Sequence, residues 1–174
     1  MLFSKSQPTP MVSSPCLSQN DTTTFNNASL YCPIVDSLQY LLIRRPELSY
    51  SVNKVCQFMH HPKQHHWKVV KRILHYLVGS QTHGLLLCMP SQLPLQAYVD
   101  ANWDSNSDDR KSTTGYTVFL GQNLIAWTSN KQKVVSRSTT EVEYRSIATT
   151  LVVIKWTTNL HIYLVGYFLS INHI

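Results

Sequence analysis

The chain has 174 residues, 43% of them hydrophobic, which allows one domain or a small domain with an appendage, can supply a core, and demands no repeat architecture. Fifteen Lys and Arg against nine Asp and Glu leave a net charge of +6, which agrees with a polyanion-binding role but is weak evidence by itself, because many basic proteins bind nucleic acid incidentally. Cys16, Cys32, Cys56 and Cys88 are far apart and form no Cys-x-x-Cys pair, so the composition favours free thiols in a reducing, intracellular compartment over a disulfide framework or a zinc site.

Residues 1–29 are rich in Ser, Thr, Pro and Asn, with almost no large apolar periodicity, and read as disordered or as an arm lying on the surface. They lack the basic start and continuous apolar run of a secretion signal. From Leu38 the pattern turns helical and breaks at Pro46; Val52, Val55, Cys56 and Met59 then recur at helical spacing until Pro62. A further helix over residues 65–77 places Trp67, Val70, Ile73, Leu74 and Leu77 on one side and Lys68, Lys71, Arg72 and His75 on the other, with Gly79 placed to end it. The basic side has two readings, an ordinary solvated face and a face that tracks phosphates. His60, His61, His65 and His66 suggest a metal cluster, but Pro62 interrupts the helix that would align them and no thiolate lies nearby, so a turn and a helix start explain them better. Residues 85–88 are apolar and suited to pair with the next strand across a Pro-containing turn.

Residues 95–100 alternate, with Leu95, Ala97 and Val99 on one face and Gln96, Tyr98 and Asp100 on the other, which predicts a half-buried strand ending in a carboxylate. Asp108 and Asp109 follow in a polar loop, where turn formation accounts for them. Residues 115–120 and 124–129 are rich in β-branched and aromatic residues, and Gly121-Gln-Asn123 reads as a three-residue hairpin connection, giving three consecutive antiparallel strands. Ser138-Thr-Thr-Glu141 then fits a capping box that opens a helix running to about Lys155. With about 100° per residue and Glu143 at zero, Ile154, Ile147, Leu151 and Tyr144 fall near 20°, 40°, 80° and 100°, while Glu141 falls near 160°. Glu143 therefore borders the apolar stripe expected to pack on the sheet, where a carboxylate is costly unless paired or bound to a cation. Glu141 is explained by the cap. Asp100 and Glu143 are the candidate metal ligands. Arg110, Lys111, Ser112, Thr113, Lys131, Gln132, Arg137 and Ser138 put cations and hydroxyls at strand ends and at a helix start, positions suited to phosphate oxygens.

Several spaced motifs together resemble the ribonuclease H domain of copia-type LTR retrotransposon polyproteins: Tyr98-Val-Asp-Ala-Asn-Trp103, Asp109-Arg-Lys-Ser-Thr-Thr-Gly-Tyr116, Asn123-Leu-Ile-Ala-Trp127, Lys131-Gln132 and Ser136-Arg-Ser-Thr-Thr-Glu-Val-Glu-Tyr-Arg145. Upstream, Leu38-Gln-Tyr-Leu-Leu-Ile-Arg-Arg-Pro46, Val52-Asn-Lys-Val-Cys-Gln-Phe-Met59, His66-Trp67 and Lys71-Arg-Ile-Leu-His-Tyr-Leu77 resemble the end of the preceding reverse transcriptase domain. The resemblance implies that Asp100 and Glu143 correspond to the first two acids of a four-carboxylate, two-magnesium centre that hydrolyses the RNA strand of an RNA–DNA hybrid. It divides the chain into an arm at 1–29, a reverse transcriptase remnant at 30–83, a truncated ribonuclease H-like domain at 84–164 and an unrelated apolar tail at 165–174.

The chain also departs from that family. The helix carries Val153 where relatives usually have a further Glu, another acid is absent near Tyr163, and the resemblance ends near Leu164, before the family's final Asp. No Asp, Glu, Lys or Arg follows Lys155, yet the most apolar run, residues 162–171, is about half of the ~20 residues needed to span a bilayer, so no membrane partner is expected. Asp104 follows the first strand, but nothing in the sequence places it at the site. The aromatic-x-Asp-Asp hairpin of a polymerase centre is absent. The sequence thus predicts an α/β unit: an incomplete ribonuclease H-like fold, a three-stranded antiparallel meander plus helix with an open sheet edge, preceded by a helical reverse transcriptase remnant. Its expected partners are an RNA–DNA hybrid or other nucleic acid and an intact retroelement polyprotein, with Mg2+ as the implied cofactor. It is expected to be catalytically incomplete alone; the alternatives are a non-catalytic basic nucleic-acid-binding remnant and a decayed reading frame.

Overall fold

Asn27 starts the first helix: its side-chain oxygen accepts the Leu30 N–H at 3.2 Å. Helix α1 therefore spans Ala28–Leu41, beginning ten residues before the helical pattern was expected at Leu38. Pro33 lies inside it and forfeits a backbone hydrogen bond, a loss offset by the stripe Tyr31, Val35 and Leu38, all buried. The computed structural model describes residues 5–12, 17–19, 23–89, 92–105 and 108–171, the last eight as backbone only. A 3-10 turn, Pro46–Leu48, leads into α2, Ser49–Cys56, and α3 spans Gln64–Gly79. These helices close the main core around Tyr31, Leu38, Leu48, Val52, Val70 and Ile73. The Tyr31 hydroxyl donates to the Val55 carbonyl at 2.9 Å, and burial, reinforced by Cys56 and Cys32, pushes its pKa well above the usual phenol range.

His66 belongs to this core. Its ring stacks on Phe58 with centroids 3.8 Å apart, its Nδ1 accepts the Lys63 N–H at 3.1 Å, and its Nε2–H donates to the Ser18 carbonyl at 3.1 Å. The described part of the first 29 residues lies on the helices. Leu17 is buried in the core, Phe25 stacks on Trp67 at 5.0 Å, and Thr24 bridges to Lys63. Ser6 sits so close to Gly79 that a Cβ there would come within 2.6 Å of the Ser6 Cβ. For residues 1–4, 13–16 and 20–22, which include Cys16, the expectation of an arm lies outside the described residues.

Three antiparallel strands, β1 (Leu95–Asn102), β2 (Thr113–Leu120) and β3 (Asn123–Lys131), form a sheet in the order β1-β2-β3, as the alternation predicted. The hairpin connection is shorter than expected. Leu120 pairs with Asn123, leaving a two-residue turn whose Gly121 has φ 61°, a left-handed conformation that glycine adopts without a Cβ penalty. Asn123, expected in the loop, joins the strand, and the extra residue is absorbed as a bulge: the register shifts between Val118 and Phe119, and Ile125 has no opposite number.

Residues 85–88 do not form the expected strand. Cys88 is held by the Asn123 side chain, which accepts its N–H at 2.7 Å and donates to its carbonyl at 2.8 Å. Leu86, Leu87 and Met89 project into solvent, because an apolar run without a covered face has nothing to gain from joining the sheet. The Pro-containing turn, at residues 90–91, lies outside the described residues. The outer edge of β1 is thus unpaired among the described residues.

Helix α4, Thr139–Ile171, continues well past Lys155. Among the described residues no helix is long and apolar enough to cross a membrane. The face of α4 on the sheet is not the one the apolar periodicity selected. Val142, Ser146 and Thr150 are buried, whereas Tyr144, Ile147 and Leu151 are exposed. Small hydroxyl side chains let the helix approach closely and join a directed hydrogen-bond chain. Gln132 Nε2–H donates to Thr114 Oγ1, Thr114 pairs with Ser146 Oγ at 2.8 Å, and Ser146 donates to the Val142 carbonyl at 2.8 Å. With both hydroxyls satisfied, burying them costs less than leaving larger apolar groups to overpack the contact. The sheet meets the helical layer through Trp127 Nε1–H, which donates to the Leu42 carbonyl at 3.0 Å, and Asn53 Nδ2–H, which donates to the Ser129 carbonyl at 2.7 Å.

Candidate functional site

The first predicted ligand, Asp100, sits opposite Gly115 on β1 and is exposed. It lines a groove of about 230 Å³ with Tyr98, Gly115 and Thr117. Its neighbour Ala101 pairs with Thr114, the residue that contacts Ser146 of α4. Because side chains alternate along a strand, Asp100 projects from the face opposite α4. Glu143, the second predicted ligand, is exposed on α4, about 60° round the axis from the centre of the buried stripe. It remains nearer the sheet than Glu141, but it does not border a buried apolar stripe, since the stripe that would have flanked it faces solvent. Among the described residues, no group of three or more His, Cys, Asp or Glu converges to hold a metal ion. Asp100 and Glu143 alone are fewer carboxylates than a two-magnesium centre needs.

The basic loop carries its own acids. Asp109 forms ion pairs with Lys131 at 2.8 Å and Lys111 at 3.5 Å, and Asp104 pairs with Arg110 at 3.2 Å. Partial burial opposes ionisation of Asp109, but the hydrogen bond and charge of Lys131, with help from Lys111, hold its carboxyl below the ordinary carboxylate range. Asp104 in turn raises the Arg110 pKa. Asp104 and Arg110 both adopt positive φ, 51° and 55°, so the loop between β1 and β2 is pinned at its two ends by left-handed residues that pair with each other.

The predicted hydroxyl and amide contacts are mostly occupied. Ser112 is fully buried; its Oγ accepts the Asp104 N–H at 3.2 Å, and its carbonyl accepts the Gln132 N–H at 2.8 Å. Thr113 Oγ1 pairs with Ser105 Oγ at 2.7 Å. The Gln132 side chain joins the chain to Thr114, and its Oε1 accepts from Ser136 Oγ at 3.2 Å. Ser138 Oγ caps α4 by accepting the Glu141 N–H at 3.2 Å. The reciprocal bond of the predicted capping box is displaced by one residue, since Glu141 accepts the N–H of Arg137 rather than that of Ser138. That Arg137 bond, followed by the Arg145 pair, lowers the Glu141 pKa. Ser112, Thr113, Gln132 and Ser138 therefore each commit a hydrogen bond to holding the loops in place, and of the four only Ser112 is buried.

Arg110 and Arg137 remain outward. The Arg110 side chain is 72% exposed despite its pair, and the Arg137 guanidinium has no hydrogen-bond or ion-pair partner among the described residues. Together with Trp103, Asp104, Val135 and Ser136 they line a groove of about 290 Å³. Trp103 is 42% exposed while its Nε1–H donates to the Ser136 carbonyl at 3.2 Å, so its ring is fixed in place with part of its surface open. Sequence reasoning missed Trp103 as a site residue and took Asp109 for a turn former. Only the interleaving of acids and cations between 103 and 111 hinted at either role. On α3, Lys68 and Lys71 are exposed, but Arg72 Nη2–H donates to Thr9 Oγ1 at 2.8 Å and the His75 carbonyl accepts from Gln7 at 3.5 Å. The basic side is therefore partly covered by the arm.

No family model matches the chain, and no solved structure matches it. Among curated proteins, the retrovirus-related Pol polyproteins from transposons RE2 and RE1 of Arabidopsis thaliana are each 47% identical over 156 residues, covering 90% of this chain and 11% of the relative. The retrovirus-related Pol polyprotein from transposon TNT 1-94 of Nicotiana tabacum is 41% identical over 116 residues, covering 66% of this chain and 9% of the relative. The chain thus spans about a tenth of the length of these relatives. Identity at this level along nearly the whole chain carries one conclusion: the chain belongs to the retrovirus-related Pol polyproteins of copia-type retrotransposons, as a segment of such a polyprotein.

Proposed function

We propose that this segment is the ribonuclease H-like part of a retroelement polyprotein, preceded by the end of its reverse transcriptase domain, and that alone it binds an RNA–DNA hybrid without cleaving it. The observation that carries the reading is the groove that Arg110, Arg137 and the partly exposed Trp103 line together. Guanidinium groups contact phosphate oxygens in pairs, and an aromatic ring held by a hydrogen bond offers a surface for a sugar or base. Such contacts position a nucleic acid without reading its sequence. Asp100 and Glu143 are each exposed on regular elements but face different ways, so the metal-dependent hydrolysis of the wider family is assigned to an assembly that supplies further acids, such as an intact retroelement polyprotein.

The test is a labelled RNA–DNA hybrid titrated with the full chain in magnesium buffer, following binding by anisotropy and cleavage on a gel. With two or three phosphate contacts, raising monovalent salt from about 50 to 200 mM should weaken binding about 10- to 40-fold. Replacing Arg110 and Arg137 by Ala should remove most of the affinity, and little or no product should form. Binding that ignores salt and both arginines, or robust turnover abolished by Asp100→Asn, would overturn the proposal.

A further inference from the structure

The connection from β3 to α4 takes part in two grooves. Val135, Ser136 and Arg137 line the one shared with Trp103 and Arg110. The four residues before them, 131–134, line another of about 470 Å³, whose other walls are β2, β3 and the side of α4 that carries Arg145, Ala148 and Thr149. Every residue lining this second groove lies between 114 and 149; three of them, Lys131, Lys133 and Arg145, are cations and none is an acid. The connection is braced from within, because Ser136 Oγ donates to Gln132 Oε1 at 3.2 Å and Gln132 Nε2–H donates to Thr114 Oγ1 at 2.8 Å. Between these anchors Val134 and Val135, one lining each groove, are exposed.

The fold does not use up the donors of the second groove. Lys133 is exposed and makes no hydrogen bond or ion pair among the described residues. Arg145 Nε–H and Nη2–H both donate to the same Glu141 oxygen, at 3.1 and 2.8 Å, which leaves Nη1 without a partner among the described residues. Lys131 is held by Asp109 at 2.8 Å. An ammonium and a spare guanidinium edge on one groove free of acids present charge-assisted donors to an anion rich in oxygen acceptors. We infer, resting on the hybrid-binding reading proposed above, that this groove holds a further phosphate of the same nucleic-acid strand, with Lys133 and Arg145 as its donors. Four residues of chain separate Lys133 from Arg137, at most about 14 Å, which is about four steps of 3.4 Å along one strand of a duplex. Because a strand carries a phosphate at every step, one that lies on Arg137 and crosses the uncharged Val134 and Val135 brings another to Lys133. A small phosphate-bearing molecule would use the second groove alone, whereas a strand uses both sides of their shared wall.

Anisotropy titrations of a labelled RNA–DNA hybrid with the full chain, repeated across monovalent salt, test this inference. Lys133→Ala/Arg145→Ala should weaken binding about 5- to 30-fold at low salt and make the slope of log K against log salt shallower by about one. Lys133→Glu alone, at a side chain that makes no bond within the fold among the described residues, should weaken binding too, so a folding defect from the broken Arg145–Glu141 pair cannot stand in for the effect. Lys68→Ala/Lys71→Ala removes the same charge from two exposed positions of α3; with distant charges screened, it should change affinity by less than about 2-fold and leave the slope as it is. Loss with Arg110→Ala/Arg137→Ala but none with Lys133→Ala/Arg145→Ala or Lys133→Glu would overturn the inference and leave the proposed function standing. Equal loss in the Lys68 and Lys71 variant would overturn it as an effect of net charge, and a wild type that binds no hybrid would overturn both.

Discussion

The hydrogen-bond chain beneath α4 decides which face of that helix meets the sheet, and it can be taken apart one hydroxyl at a time. Thr114→Val keeps the shape of the side chain but removes the acceptor for Gln132 Nε2, leaving that group only the Val142 carbonyl at 3.4 Å, and takes away the partner of Ser146. Ser146→Ala leaves the Thr114 hydroxyl without its acceptor in a site where Thr114 is 8% and Ser146 0% exposed. A buried polar group stranded in this way costs about 1–3 kcal/mol. Removing both hydroxyls strands fewer groups than the two single changes taken separately, so the double variant should fall short of the sum by about 1 kcal/mol. Urea unfolding followed by circular dichroism reads all four corners of the cycle. For a chain of this size each kcal/mol corresponds to roughly 2–4 °C in Tm. Single costs below about 0.5 kcal/mol, or strict additivity, would show that apolar burial of α4, including Val142, and not the hydroxyl chain, seats the helix.

Other outcomes follow from the same geometry. Asp109→Asn should release Lys131 and Lys111 and strengthen hybrid binding, with a salt slope steeper by up to about two; unchanged affinity and slope would mean that these lysines do not reach the ligand. Because folding lowers the Asp109 pKa, its contribution to stability is present above the ordinary carboxylate value and lost as pH falls through the lowered one, so the substitution should flatten the acid limb of a stability–pH profile. Ser138→Ala removes the acceptor of the Glu141 N–H and should cost about 0.5–2 kcal/mol in a thermal melt, whereas Glu143→Gln, at an exposed position without a hydrogen-bond or ion-pair partner among the described residues, should leave the melt unchanged. Burial chiefly pushes the Cys56 thiol up to about 11, so at pH 8 only about one molecule in a thousand carries its thiolate. Peptide mapping after brief alkylation should find the exposed Cys88 modified well before Cys56, and the reverse order would contradict the packing around Cys56.

Much of the site was hidden because its residues satisfy one another across the fold. The run 110–113 and the pairs 131–132 and 137–138 read as a phosphate-binding set, since cations and hydroxyls near strand ends have that chemistry. What the sequence could not display is that Lys131 lies beside Asp109, that Ser112 is sealed between two loops, or that Gln132 turns inward to Thr114. Trp103 became visible only when its indole N–H was placed on Ser136 and its side chain in a groove that Arg110 and Arg137 also line.

Local regularities were legible from the sequence alone. Alternation at 95–100, the glycine at a hairpin and the Ser-x-x-Glu start of α4 depend on neighbours within a few residues, so strands, turn region and cap are encoded where they occur. Three features required the tertiary structure. The apolar stripe of α4 predicts a buried face only if burial is decided by hydrophobicity, but here close approach and paired hydroxyls win, and the stripe is left exposed. Residues 85–88 are apolar enough for a strand, yet a strand exists only when a partner edge and a covered face coincide. The relation between Asp100 and Glu143 depends on which side of the sheet the helix lies, and that choice is made by packing between elements distant in sequence, which no local pattern records.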